Sequence, residues 1–413
     1  MRGNGLAAPL SRLIAVVCAT NFYSSIFWRK TMKTNFGTLS PTQLQMWSRD
    51  FWRVARNQSF INQFAGTGSN AMVQRVTELT KSQKGTKANI TLLADMNGDG
   101  VVGDHDLEGN EEALRAYDIS IELDQLRFAN RLAGRLTDQK TVVNFREQSR
   151  DALAYAMADR IDQLAFLTLS GVAYTYKNNG ALRSVLGTGQ NLSELEFAAE
   201  AAAATPTDKR HLRVDNSGTN NAYVGLATGA TGSVTAADKL SYNAIVDLKA
   251  YAKDNYIRGI RGGANGEMYH MFVTPRQMAD LKLDSDFLAN VRNAGVRGPN
   301  NSLFAGNSSL MVDGIMIHEF RHVYNTSGAG AGNKWGNGGN VDGARALFCG
   351  AQALAMADIG APEVVEETFD YGNQHGISIG KIFGLRKPKY TTDYAGTGAA
   401  VQDFGVICLD TAQ

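Results

Sequence analysis

The chain has 413 residues, of which 44% are hydrophobic and 20% charged, a composition that excludes a wholly disordered protein and suggests two or three domains. Lys and Arg number 41 and Asp and Glu 40, so the net charge of +1 excludes the strongly basic class of nucleic-acid-coating proteins. The three cysteines, Cys18, Cys349 and Cys408, are odd in number and far apart. This spacing excludes a disulfide framework or a CxxC metal site and favours a reducing compartment.

The first 31 residues differ in character from the rest of the chain. Basic residues precede an apolar run from Leu13 to Ala19, which superficially resembles a signal peptide, but no small-x-small cleavage site closes the run. Met32 then opens a conventional start, MKTNFGTLSP. We therefore hypothesise that Met32 is the initiator and that residues 1–31 are a start-site artefact. No apolar run approaches the roughly 18 residues of a membrane span.

A short aromatic helix is predicted next. Ser40-Pro41-Thr42-Gln43 is a capping box with proline at the first helical position, and apolar residues follow at helical spacing. This helix is expected to end near Phe64. Its aromatic content suits docking onto another surface, either of its own domain or of a neighbouring subunit.

A long hairpin is predicted between Lys84 and Phe128. Ala88–Leu93 and Tyr117–Leu123 alternate apolar and polar residues, as a half-buried strand does. Ile119, Ile121 and Leu123 fall on one face of the second strand. A polar, Gly-rich tip separates the two strands.

Asp138–Ser170 is the longest segment that is predicted to form one uninterrupted helix, because it contains neither Gly nor Pro. Leu153, Met157, Ile161, Leu164 and Leu167 recur at steps of three and four residues and form one apolar stripe, while the charged residues of the segment, Asp162 among them, lie elsewhere. Gly171 supplies the stop. A helix with such a stripe requires a sheet or a second layer beside it.

The remainder of the chain mixes helices and strands without a regular βαβ alternation, which favours the α+β class. Residues 176–237 are rich in Gly, Asn, Thr and Ala and are predicted to form an irregular surface excursion. The other predicted elements are a helix from Ser241 to Asp254, a strand from Met268 to Thr274, a helix that begins at Pro275, a strand from Gly314 to Tyr324, a flexible loop from Ser327 to Gly339, a helix from Ala344 to Asp358, and strands from Ile377 to Leu385 and from Phe404 to Leu409.

His318-Glu319-Phe320-Arg321-His322 matches HExxH, the signature in which two histidines one helical turn apart bind zinc and the glutamate activates water. That mechanism requires a helix. Here the flanking segments, from Gly314 to Ile317 and from Val323 to Asn325, contain β-branched and aromatic residues, which favour a strand. On a strand the two histidines would stand about 13 Å apart, too far for one metal ion.

The hairpin tip offers a second candidate metal site. From Asp95 to Asp106, oxygen-bearing residues occupy the first, third, fifth and twelfth positions, with Gly at the sixth, which is the pattern of a calcium loop; they are Asp95, Asn97, Asp99 and Asp106. Against calcium, Asp, Asn and Gly are also the commonest residues of ordinary turns. The sequence leaves both interpretations open. It contains no Walker A loop, no GxSxG elbow and no Cys-His pairing, and we assign no catalytic, cofactor-binding or metal-binding residue and no cofactor.

Several segments together resemble one known family, the N4-type major capsid proteins of tailed bacteriophages. The resemblance runs from about Met32 to the C-terminus and keeps the order of the segments. Residues 1–31 have no counterpart in it, and the Asp95, Asn97 and Asp99 set is more calcium-like than the family pattern. The segments that carry it are Leu107-Glu108-Gly109-Asn110-Glu111-Glu112-Ala113-Leu114, Asp124-Gln125-Leu126-Arg127, Leu167-Thr168-Leu169-Ser170-Gly171 and Asp313-Gly314-Ile315-Met316-Ile317-His318-Glu319.

The resemblance implies the tailed-phage major capsid fold, with an arm, an extended loop, a peripheral domain that carries a long spine helix, and an axial domain. The implied division is an N-terminal extension over 1–31, the N-terminal arm over 32–83, the extended loop over 84–137, the peripheral domain over 138–240 with its spine helix at 138–170, the axial domain over 241–360, and a return to the peripheral domain over 361–413.

The resemblance also implies a function, that of a structural protein of the virion and not of an enzyme. Copies would assemble in the host cytoplasm into hexamers and pentamers of an icosahedral shell, which encloses double-stranded DNA without reading its sequence. Portal, scaffold and decoration proteins are the further partners implied, and no membrane is. We expect the hairpin to lie on a neighbouring copy, which would bury Ile119, Ile121 and Leu123. A zinc metallopeptidase and a calcium-dependent binding module are the competing functions.

Overall fold

The computed structural model describes residues 59–77, 85–93, 100–111, 116–140, 145–184, 191–203, 205–262, 266–294, 309–360, 362–392 and 400–413. The hypothesis about Met32 and the capping box at Ser40 lie outside these residues. Of the predicted aromatic helix only the end is described, where Ile61–Phe64 form a 3-10 helix.

The described elements are mixed in type, as the α+β class requires. The helices are α1 (Arg135–Lys140), α2 (Phe145–Ser170), α3 (Ala198–Ala203), α4 (Tyr242–Asp254), α5 (Pro275–Leu283) and α6 (Ser285–Ala294). The strands are β1 (Ala65–Gly66), β2 (Val73–Val76), β3 (Lys87–Leu93), β4 (Ala116–Glu122), β5 (Asp124–Arg131), β6 (His211–Asp215), β7 (Gly225–Thr228), β8 (Ile260–Arg261), β9 (Glu267–Val273), β10 (Ser309–Val312), β11 (Ile315–Glu319), β12 (Gly343–Cys349), β13 (Leu354–Asp358), β14 (Glu363–Phe369), β15 (Gln374–Arg386), β16 (Lys389–Thr392), β17 (Ala400–Asp403) and β18 (Val406–Ala412).

An eight-stranded mixed sheet forms the larger of the two main layers. Its order is β10-β11-β9-β12-β18-β6-β7, with β8 paired to β9. Side chains of α4, α5 and α6 share one buried cluster with the central strands. The predicted helix starts are confirmed. The Ser241 side chain accepts a hydrogen bond from the Ala244 N–H, and Pro275 is the first residue after Thr274, which forms a capping box with Gln277.

A six-stranded sheet forms the second layer. Its order is β1-β2-β13-β15-β14, and β5 pairs with the other edge of β15. Helix α2 packs against β15 and β5 of this sheet and also contacts β12 of the eight-stranded sheet. The predicted sheet beside the long helix is therefore present.

Helix α2 confirms the predicted apolar stripe but is more deeply buried than one stripe implies. Each of the five predicted stripe residues is buried, and so is every residue from Leu164 to Ser170. The C-terminal half of the helix lies between two sheets, so both of its faces are covered. Of the predicted span, Asp138–Lys140 lie in α1 and Phe145–Ser170 form α2, and residues 141–144 lie outside the described residues.

A buried ion pair joins the end of α2 to the eight-stranded sheet. Arg345 of β12 donates to both carboxylate oxygens of Asp410 on β18, at 2.7 and 3.1 Å, and its Nη1 donates to the Ser170 carbonyl at 2.8 Å. His211 of β6 lies 2.6 Å from the same carboxylate. Burial raises the pKa of Asp410, but the charge of Arg345 and these hydrogen bonds outweigh it and hold the pKa below its usual value.

The prediction of a helix from Ala344 to Asp358 is wrong. The segment forms β12 and β13, which lie in different sheets. Both strands are buried on both faces, so their apolar residues do not alternate and imitate helical spacing. The break falls at Gly350, where a Cβ would lie 2.2 Å from the Arg258 carbonyl oxygen.

Residues 176–237 are not the irregular surface excursion that was predicted. The alanine-rich patch contains α3, and β6 pairs in parallel with β18 inside the eight-stranded sheet. Leu212 and Val214 of β6 are buried. The strand is only five residues long, and the polar sequence around it concealed its alternation.

The C-terminal part of the chain contributes strands to both sheets. The last strand, β18, pairs with β12 and β6 in the eight-stranded sheet. Conversely, β13 pairs with β15 and β2 of the six-stranded sheet.

Among the described residues, no helix combines the length and hydropathy of a membrane span.

Candidate functional site

The predicted hairpin is present as β3 and β4, which pair antiparallel from Lys87↔Glu122 to Leu93↔Ala116. In this register Ala88 faces Ile121 and Ile90 faces Ile119, so the apolar residues of both strands share one face. We call the paired strands near Lys87 and Glu122 the hairpin base, and residues 100–111 the hairpin tip.

The hairpin base is buried on its own chain. Ala88, Ile90, Ile119 and Ile121 form one buried cluster with Val76, Ala355 and Ala357 of β2 and β13, and Leu123 packs against it. Ile121 is 0% exposed. The expectation that a neighbouring copy buries these residues is therefore wrong for Ile119 and Ile121, because the six-stranded sheet of the same chain already covers them, whereas Leu123 is only partly buried.

Polar contacts reinforce this attachment. The Tyr117 hydroxyl donates to the Thr391 carbonyl at 2.8 Å. Arg386, at the end of β15, donates to the Ser120 carbonyl and pairs with Glu200 of α3 at 2.7 Å. Gly384 lets β15 pass the end of β4, because a Cβ there would lie 2.1 Å from the Glu122 carbonyl oxygen. The base is thus held by both apolar area and directed hydrogen bonds.

The hairpin tip shows the opposite behaviour. Every residue from Val102 to Glu111 is exposed, including Val102 at 77% and Leu107 at 61%. Gly100, Gly103 and Gly109 have positive φ, which shapes the tip as a series of tight turns. Among the described residues, its side-chain hydrogen bonds are internal: the Gly109 N–H donates to Glu111, and the Asn110 side chain donates to the Asp106 carbonyl. Its side chains are therefore available to another molecule.

The calcium hypothesis concerns this same tip. Asp95, Asn97 and Asp99 lie outside the described residues, and Asp106 is exposed. Among the residues that the structure describes, no group of three or more His, Cys, Asp or Glu side chains is arranged to hold a metal ion. The described part of the loop lends the calcium hypothesis no support.

The HExxH motif begins on a strand and not on a helix, but the strand predicted to run to Tyr324 ends at Glu319. His318 and Glu319 end β11, and His322 follows it in a turn. The two histidines have different partners: His318 Nε2 lies 3.0 Å from His270 Nδ1, and His322 Nε2 lies 2.6 Å from Asp159 Oδ1. The helical geometry that a zinc peptidase needs is absent from this motif.

The imidazoles of His270 and His318 sit in an aromatic cluster. Phe64 contacts both rings at centroid distances of 4.9 and 5.0 Å, and Phe60 stacks on Phe320 at 4.2 Å. Burial, followed by the charge of His270, lowers the pKa of His318 to about 4. Burial also lowers the pKa of His270. Both rings are therefore neutral at pH 7, which suits packing more than catalysis.

Asp162 of α2 holds the segment that carries Phe60. Its carboxylate accepts hydrogen bonds from the Ser59 hydroxyl at 2.7 Å and from the Phe60 and Ile61 N–H groups at 2.9 and 3.1 Å. Burial raises the pKa of Asp162, and these three hydrogen bonds oppose the rise.

Sequence reasoning missed this role of Asp162. Ala154, Ala158, Ala165 and Leu169 form a second buried stripe on α2, and Asp162 falls on that stripe. An acidic residue at such spacing among small apolar ones was the available signal.

Comparisons with known proteins agree with the resemblance to phage major capsid proteins. A sequence model described as phage capsid protein matches residues 35–413. The major capsid protein of Pseudomonas phage KPP25 is 55% identical over 374 residues, which cover 91% of this chain and 96% of that protein.

Solved structures share the fold. The capsid protein of Ralstonia phage GP4 is 25% identical with a TM-score of 0.64, over 86% of this chain and 90% of that chain. The capsid protein of cyanophage Pam1 is 20% identical with a TM-score of 0.64, over 86% of this chain and 92% of that chain, and shows the fold alone. The chain therefore belongs to the phage capsid protein family, whose members are structural and non-enzymatic proteins that form the shell of the virion.

Proposed function

We propose that copies of this capsid protein assemble into hexamers and pentamers, and that the hairpin tip of each copy lies on the next copy around the ring. The observation that carries this proposal is the contrast within the hairpin, whose base is buried on its own chain and whose tip is exposed from Val102 to Glu111. A base that is held in place presents the tip at a defined position, which lowers the entropic cost of docking it on a neighbour.

Such a contact is heterologous, because each copy gives its tip to one neighbour and receives a tip from another. Heterologous contacts close into rings when the rotation between copies fits a whole number of subunits. Rings of six and five copies would then tile the icosahedral shell.

We further propose a domain plan that follows the sheets. The eight-stranded sheet with α4, α5 and α6 is the axial domain, and it includes β6, β7 and β18. The six-stranded sheet with α2 as its spine is the peripheral domain. Residues 84–137 are the extended loop, which returns into the peripheral sheet through β5, and residues 32–83 are the arm, whose β1 and β2 join that sheet.

The shell is proposed to enclose double-stranded DNA without binding particular bases. The net charge of +1 supports this, because a strongly basic chain would bind the phosphate backbone throughout the cell. Assembly would take place in the host cytoplasm. Portal, scaffold and decoration proteins are the partners to look for in native particles.

The test is to replace Val102–Gly109 with a short Gly-Ser linker. Removing all of residues 84–110 would also delete Ala88 and Ile90, which belong to the chain's own core, so the replacement is confined to the tip. We expect the variant to fold with the urea midpoint of the unchanged chain and to form no shells by electron microscopy. Shells of normal size and number from this variant would contradict the proposed role of the tip.

A further inference from the structure

A three-stranded part of the six-stranded sheet extends beyond β2 and β13. It consists of β5, residues 374–383 of β15, and β14, and we call it the charged ribbon. Strand β5 pairs with one edge of β15 from Phe383↔Asp124 to Gly376↔Arg131, and β14 pairs with the other edge from Gly380↔Glu363 to Gln374↔Phe369. The outer edges of β5 and β14 pair with no other described strand.

The register places opposite charges in the same two rows. One row reads Arg127, Gly380, Glu363, and the other reads Arg131, Gly376, Glu367. Side chains in one row project from the same face of a sheet. The ribbon therefore has an arginine stripe along β5 and a glutamate stripe along β14, with two glycines between them. Two strand spacings separate the stripes by about 10 Å.

Among the described residues, these charges are not neutralised by an ion pair. Arg127, Arg131, Glu363 and Glu367 are all exposed. Within the described residues, Arg127, Glu363 and Glu367 enter no ion pair. Arg131 donates to Gln374 and lies 4.3 Å over the Phe369 ring, contacts that leave its charge unneutralised.

A neighbouring acidic residue shows the contrast. Glu366 accepts three hydrogen bonds from Arg146 of α2, at 2.9, 2.9 and 3.1 Å, and so its charge is balanced inside the chain. Glu363 and Glu367 on the same strand have no such partner within the described residues.

The end of the ribbon is rigid. Asp370, Tyr371 and Gly372 all have positive φ, and Arg135 secures the turn through hydrogen bonds to the Gly372 carbonyl and the Asn373 side chain. Tyr371 is fully exposed at the end of the turn. A rigid element loses little conformational entropy when it docks.

We propose that the charged ribbon is an interface between copies of this chain, in which Arg127 and Arg131 of one copy pair with Glu363 and Glu367 of the next. This inference rests on the proposed function, because it assumes that copies lie side by side. In a ring of five or six copies around an axis normal to the sheet, the β5 edge of one copy would face the β14 edge of the next, which is a heterologous contact. A contact between two identical edges would oppose like charges at a cost.

Charge reversal tests the pairing in the full 413-residue chain. The double variant Arg127→Glu/Arg131→Glu makes both edges acidic, and Glu363→Arg/Glu367→Arg makes both edges basic. We expect each to lower the yield of shells, counted by electron microscopy and sedimentation, by about tenfold or more. The four-site variant, which exchanges the two stripes, should return the yield to within about twofold of the unchanged chain.

Arg127→Lys/Arg131→Lys is the matched control, because it keeps the positive charge and should assemble like the unchanged chain. Folding is checked separately by the urea midpoint of each unassembled variant, which should not move because all four side chains are exposed. Salt of about 1 M, with a Debye length near 3 Å, should reduce the loss in both double variants.

The outcomes separate this inference from the proposed function. Shells from the unchanged chain together with normal yields from both double variants would overturn the inference and leave the function intact. A folded four-site variant that fails to recover assembly would also overturn it. Absence of shells from the unchanged chain would contradict the proposed function and this inference with it.

Discussion

The base and the tip of the β3–β4 hairpin belong to the same short element, yet they bury their side chains to opposite degrees. Ile121 at the base is 0% exposed and packs on β2 and β13, whereas Val102 in the tip is 77% exposed. A hairpin of two strands is marginal by itself. This chain therefore stabilises one end of the hairpin internally and leaves the other end exposed, where we propose that a neighbouring copy covers it.

The largest expected effect tests the base against the tip directly. Ile121→Ala removes buried methyl and methylene groups and leaves a cavity, so we expect the free energy of unfolding of the unassembled chain to fall by about 3 kcal/mol. Val102→Ala at the tip is the matched control and should change it by no more than about 0.5 kcal/mol. Urea titration measures both. Equal effects at the two positions would contradict the comparison.

A second, smaller effect concerns the segment Ser59–Phe64, which is attached by a carboxylate and not by apolar area alone. Asp162→Asn places an NH₂ group where the Phe60 N–H requires an acceptor, and leaves buried donors facing each other. We expect a loss of about 2 kcal/mol in the free energy of unfolding. Asp151→Asn, at an exposed position of the same helix, is the control and should be neutral. An unchanged urea midpoint for Asp162→Asn would show that Asp162 is not the anchor.

A third effect is a pH dependence at the same junction. Burial, then the charge of His270, lowers the pKa of His318 from 6.5 to about 4, so between these values the unfolded chain binds the proton and the folded chain does not. The stability that this group contributes is therefore fully present above pH 6.5 and is lost as the pH falls toward 4.

Asp159 acts in a different range. Burial raises its pKa, but the hydrogen bond and charge of His322 and the contact with Arg321 lower it to about 2, so its contribution is lost only as the pH falls from about 4 to about 2.

His318→Phe tests the effect of His318. We expect the difference between the urea midpoints at about pH 7 and about pH 4.5 to be smaller in this variant than in the unchanged chain. The same fall in both proteins would remove His318 as its cause.

Local patterns predicted the elements whose residues repeat with one clear period. The stripe from Leu153 to Leu167 on α2, the cap at Ser241 and the strand that carries His318 were all identified from spacing and flanking residues. The segment from Ala344 to Asp358 was misassigned, because strands buried on both faces have no alternation to detect. The five-residue strand β6 was missed because it is short and lies in polar sequence.

The candidate site divides in the same way. The hairpin, its apolar face and its exposed tip were predictable, whereas the surface that buries Ile119 and Ile121 was not. Ala355 and Ala357, which cover them, come from a segment that was expected to be helical. Asp162 was likewise placed off the apolar stripe, because no residue near it in the sequence indicates that Ser59 is its partner.

The amino-acid sequence by itself determined the α+β class, the long central helix, the hairpin and the family resemblance, because these depend on residue order over short distances. Only the tertiary structure decided which surface covers the hairpin base, where Asp162 directs its carboxylate, and that Arg127 and Arg131 share rows with Glu363 and Glu367. Burial and strand register are set by contacts between segments far apart in the chain, and no local period encodes them.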